Sequence, residues 1–129
     1  MSFETLIERW FAIGFLIFGL SHLLYPAKWA AVYLPLRERE TGGLMLALFY
    51  FPLGLGVVLG HNVWVWGIPV AVTLAGWVMI LKSVVYLWFP RALSRVMPSD
   101  ERMVSAFRMA GAVSILLGAL LIYDWFRHR

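Results

Sequence analysis

The chain has 129 residues, 62% of them hydrophobic and only 14% charged, with a mean hydropathy of +0.80. A soluble domain carries about 25% charged residues, so this chain lacks the polar residues to cover a water-facing surface, and its length supports a single domain. The net charge is +4 and the pI about 9.9; in a membrane protein such charge lies in loops against anionic headgroups, which argues against a nucleic-acid partner, and the absence of cysteine excludes disulfides, thiol catalysis and thiolate metal sites.

Inside a bilayer every backbone amide must bond within its own segment, so helices or a closed barrel are the spanning options. The apolar runs here are continuous rather than alternating, which selects helices. The first predicted span covers residues 4–24 and stops at Tyr25-Pro26. Glu4 and Glu8 stand where a signal peptide would be basic, and no small-residue cleavage site follows, so the expectation is a retained span. Residues 27–36 are too short to span. Lys28, Trp29, Tyr33 and Pro35 among aliphatic residues suit a short segment at the headgroup boundary. Arg37-Glu38-Arg39-Glu40 is a solvated loop.

The second predicted span covers 41–60 and contains Pro52, which removes a helical hydrogen bond and predicts a kink. The third covers 62–89, starting after a tight Gly60-His61 turn that Asn62 caps and stopping at Pro90. With Pro69 two turns in, it is longer than the hydrocarbon core and is expected to tilt or protrude. A polar loop follows, in which Ser99 or Asp100 caps the fourth span, 101–126. The fold class expected is all-α: four transmembrane helices in a small bundle over residues 1–129.

Basic residues set the orientation. Lys28, Arg37, Arg39, Arg91, Arg95, Arg102 and Arg108 lie at one end of the spans; Arg9, Arg127 and Arg129 lie at the other. The positive-inside rule then places loops 1 and 3 in the cytoplasm and both termini outside, in a bacterial plasma membrane. Trp29, Trp64, Trp66, Trp88 and Trp125 fall near span ends as aromatic-belt residues, whereas Trp77 falls mid-helix as a packing residue.

Small residues mark where membrane helices approach. Each span carries such a stripe: Ala12 and Gly19 with Glu8, Phe15 and His22 in the first, Gly56 and Gly60 in the second, Thr73, Gly76 and Ser83 beside Ala71 and Ala75 in the third, Gly111, Ser114 and Gly118 in the fourth. Lys82 is the deepest charge, about 12 Å from the end of its predicted helix. A charge inside a span is a functional candidate by default, although a lysine stem also snorkels to headgroups. Lys82, His22, Ser83 and Arg91 at one level suit an anionic headgroup or ligand. At the other end stand Glu8, Arg9, His61, Asn62 and Asp124, where helix-end carboxylates are ordinary and no metal site is assigned. No catalytic signature is present. Haem ligation is the one cofactor chemistry open to His22 or His61, and none is assigned.

His61-Asn62-Val63-Trp64, followed by Thr73, Gly76-Trp77 and Lys82 before a proline, resembles the central hairpin of a family of small, uncharacterised bacterial four-helix integral membrane proteins. Gly19-Leu20-Ser21-His22 with Pro26 and Trp29 is compatible with it. The resemblance covers residues 54–90. A glycine often follows the lysine in that pattern, where Ser83 stands here. It implies a multi-span membrane protein and links His61, Asn62, Trp64, Thr73, Trp77 and Lys82 as one feature; it brings no activity. The expected function is non-enzymatic, through helix association, as a subunit of a membrane complex or a homo-oligomer. The alternative is a small oligomeric transporter or channel for an anionic or lipid-like substrate.

Overall fold

The computed structural model describes residues 1–97 and 101–128. The candidate caps Ser99 and Asp100 lie outside the described residues. Six helices follow one another: α1 (Phe3–Leu24), α2 (Pro26–Glu38), α3 (Gly42–Gly60), α4 (Val70–Trp88), α5 (Ala92–Val96) and α6 (Glu101–Arg127). Four of these, α1, α3, α4 and α6, are long and apolar enough to cross a membrane.

The chain punctuates itself with local chemistry. Ser2 caps α1 by accepting the Thr5 amide. Pro26 opens α2, where a missing N–H costs nothing because first-turn amides lack partners anyway. The segment expected at the headgroup boundary is thus a 13-residue helix, which runs past Pro35 to Glu38.

The third span differs from its sequence expectation. After α3 the chain leaves the helix at His61 and re-enters it only at Val70, with Pro69 as the cap residue. Pro69 cannot donate an amide and its ring would clash with the carbonyl four residues back, so a helix begins there more readily than it passes through. Gly67, at φ 157°, precedes it in a backbone conformation natural to glycine. Asn62 therefore caps no helix, and the α3–α4 connection is a nine-residue stretch rather than a tight turn. The 19 residues of α4 rise about 28 Å, close to the hydrocarbon thickness of about 30 Å, so no surplus length forces a tilt.

The bundle is built from two close helix pairs, α1 with α6 and α3 with α4, bridged by α2. Glycines set both approaches. A side chain at Gly111 would stand 2.6 Å from the Gly19 carbonyl oxygen, and one at Gly19 would stand 2.9 Å from that of Gly111. In the second pair, a side chain at Gly76 would meet Val57 at 2.5 Å. The small-residue stripes of the first, third and fourth spans thus pack inside the molecule. The Gly56/Gly60 stripe divides: Gly60 lies against Phe3 of α1, whereas nothing stands within 4 Å of Gly56.

Two small apolar cores result, one at each end. Ile7, Ala12, Val57, Val72 and Leu121 form the first. Leu46, Ala47, Tyr86 and Leu93 form the second, below α5. Arg37 closes that end by donating to the carbonyls of Ser94 and Met97.

Candidate functional site

The most developed polar arrangement lies where α3 ends. His61 is fully buried. Its Nε2 stands 2.8 Å from Glu8 Oε1 of α1, and its Nδ1 stands 2.9 Å from Thr73 Oγ1 of α4. An ionised carboxylate only accepts, so with Glu8 ionised the Nε2–H is the donor. Thr73, also fully buried, sits one turn inside α4 and reaches back to the extended segment. Its oxygen accepts the Val63 amide at 3.1 Å, and its one hydroxyl proton goes to the bare Nδ1 of His61, with the Val63 carbonyl the alternative acceptor at 2.9 Å. Three helices are thereby tied through one imidazole. Acid, imidazole and hydroxyl stand in line, but Thr73 Oγ1 is enclosed and its bonding capacity is used, so no nucleophile is presented.

Asn62 completes the connection. Its Oδ1 accepts the indole N–H of Trp64 at 2.7 Å and that of Trp77 at 3.2 Å. Trp77 still lies near the middle of its helix, the eighth of the 19 residues of α4, is 37% exposed and braces the loop through its indole N–H. The residues that the sequence linked, His61, Asn62, Trp64, Thr73 and Trp77, thus form two joined hydrogen-bond sets; Lys82 stands apart from them.

Glu8 also faces a small polar cavity of about 120 Å³ between the ends of α1 and α6, lined by Thr5, Arg9, Asp124, Trp125 and His128. Asp124 pairs with His128 at 3.1 Å. Arg9 stacks its guanidinium 4.4 Å from the Trp125 ring, so that tryptophan is partly covered. No three acidic or imidazole side chains among the described residues are grouped to hold a metal ion.

At the opposite end the four residues read as an anion pocket make their contacts in separate places. His22 forms a three-ring cluster with Trp29 at 4.3 Å and Phe107 at 5.4 Å, those two rings standing 6.5 Å apart. Ser83 is buried and donates to the Met79 carbonyl of its own helix. Arg91 pairs with Glu40 at 2.7 Å in the exposed loops. Lys82 lies on the outer face of α4, its Nζ 4.7 Å from the Tyr50 ring. What connects His22 to Lys82 is aromatic: Phe107 meets Tyr33 at 5.1 Å, and Tyr33 and Tyr50 share a hydroxyl contact at 3.4 Å. Tyr50 and Phe107 were not singled out from the sequence, and Tyr33 figured there only in the headgroup-boundary segment. Their only signal was polar-tipped or large rings at the level of a basic residue. Trp29, expected in the belt, instead donates to Ser21 at 2.9 Å and packs on His22.

No protein-family model matches the chain, and no curated protein or solved structure matches it. The class is therefore set by the fold: an all-α bundle with four membrane-length apolar helices.

Proposed function

We propose that the protein works without catalysis, as a small integral membrane protein that acts through helix association. It is an accessory or assembly subunit of a membrane complex, or a homo-oligomer. Lys82 is the observation that supports this most. It projects from the outer face of α4 beside exposed Val78, Leu81 and Val85, about 9 Å from the helix end at Trp88. Among the described residues its ammonium meets only the Tyr50 ring, and a cation over one aromatic face recovers about 0.5–2 kcal/mol. A charge at that depth is costly without a counter-charge, and a carboxylate on a neighbouring span supplies one. This reading puts the chain in the bacterial plasma membrane with the α2 and α5 end, rich in basic residues, in the cytoplasm against anionic headgroups.

A photoreactive amino acid at Leu81 tests it in native membranes. The expected product is a protein adduct, to a second copy or to another subunit, that is lost in Lys82→Met. A monomer giving lipid adducts alone overturns the proposal.

A further inference from the structure

An apolar groove of about 600 Å³ runs between α1 and α3. Its floor is Ile7 and Val57, both buried. Its walls are Leu6, Trp10 and Ile13 on α1 and Leu53 on α3, all substantially exposed. Two residues keep it open. Gly56 has no side chain and nothing within 4 Å of the position where one would begin. Pro52, one turn away, lies inside α3 and removes a helical hydrogen bond.

Two features of the groove point to its occupant. The first is length. From Phe3 to Ile13 the wall rises about 15 Å, half of a hydrocarbon core of about 30 Å. The groove therefore covers one leaflet, from the headgroup level to the midplane. The second is charge. Arg9 lines both this groove and the polar cavity beside it. Its guanidinium lies on Trp125 and donates to Met1 Sδ at 3.2 Å. Its Nε is buried with no acceptor, and among the described residues no carboxylate lies within ion-pair distance. A guanidinium fork is shaped for phosphate oxygens, which it binds in bidentate fashion.

We infer that the α1–α3 groove is a binding site for one anionic phospholipid, its acyl chain along Leu6, Trp10, Ile13 and Leu53 and its phosphate on Arg9. The site is distinct from the Lys82 face, and the inference stands apart from the association proposed above. A phosphate supplies a charged acceptor to the terminal nitrogens of the Arg9 guanidinium, whose acceptor within the molecule is the weak Met1 Sδ. The chain fills a surface that two helices leave concave.

Native mass spectrometry of the full chain, titrated with phosphatidylglycerol or phosphatidylcholine in mild detergent, tests this. The expected result is one tightly held phosphatidylglycerol and weaker phosphatidylcholine. Arg9→Gln should weaken phosphatidylglycerol about tenfold, the value of one charge-assisted hydrogen bond, and weaken phosphatidylcholine less, because its choline cation already offsets the phosphate charge, so that the preference between the two lipids is largely lost. Gly56→Phe should fill the groove and lose both lipids. Gly14→Phe, at a glycine equally free of neighbours but outside the groove, should lose neither. Should Gly56→Phe fail to fold, a photoactivatable phosphatidylglycerol on the wild-type chain takes its place, with label expected within 3–13 and 52–57. Equal retention of the two lipids, an Arg9→Gln protein with unchanged affinity, label spread evenly over the outer helices, or a second copy seated in the groove overturns the inference.

Discussion

His61 is buried at a helix end because each ring nitrogen has a partner there. A buried polar group costs about 1–3 kcal/mol when its partner is removed, and the two partners come from different helices. Thr73→Val keeps the shape and deletes the hydroxyl, leaving His61 Nδ1 and the Val63 amide without their partner. It should cost about 1–3 kcal/mol in a reversible unfolding assay in detergent. The two substitutions at Glu8 should separate. Glu8→Gln retains an acceptor for His61 Nε2 and should stay within about 1 kcal/mol of the parent, while Glu8→Leu strands the imidazole and should lose more than that. Equal losses would mean that Glu8 contributes only bulk. The residue types of this network were legible in the sequence, since a His-Asn pair with a threonine twelve residues on was singled out. The partnership of His61 with Glu8, 53 positions away, was not, because nothing local fixes which helix lies beside the end of α3.

At the scale of elements, α1 and α6 are held by glycines whose backbones touch. Gly111→Leu would drive a side chain into the Gly19 carbonyl, which cannot move without shifting the helix. It should cost about 3 kcal/mol, the upper end of overpacking penalties, and Gly14→Leu should be nearly neutral because nothing stands near it. Thermal unfolding of the pair checks both. The connection between α3 and α4 makes a second prediction. Amides of Trp64–Gly67 form no helical bonds and should exchange with solvent deuterium well before those of Val72–Gly76. An uninterrupted helix from Asn62 would protect both segments alike. This element was misread from sequence because apolar residues continue through Val63–Ile68 without a break. Hydropathy reports what a segment is surrounded by, not its dihedral angles. Pro69 was the available sign, and a proline reads equally as a kink within a helix or as its first turn.

For the whole molecule, the fold places the first residue and the α3–α4 connection at one end and α2 and α5 at the other. Cysteine substituted at Ser2 and at Thr41, both exposed, should therefore label from opposite faces of the membrane. With the basic end in the cytoplasm, Ser2→Cys should react with an impermeant reagent in intact cells and Thr41→Cys only after lysis. The reverse pattern would invert the orientation while leaving the bundle intact. Four spans, their approximate ends apart from the start of the third, and the positions of the small-residue stripes were determined by sequence alone. Hydrocarbon leaves the backbone no option but internal hydrogen bonding, and it gives helices close approach only where side chains are small. Tertiary structure decided which helices pair and that Glu8, His61 and Thr73 meet. It also separated His22 and Lys82 across a row of aromatic rings and opened a groove at Gly56 while closing the other stripes. In lipid every apolar face is equally acceptable to the solvent, so composition cannot rank one helix neighbour above another. The choice falls to packing and polar contacts that exist only once the helices are side by side.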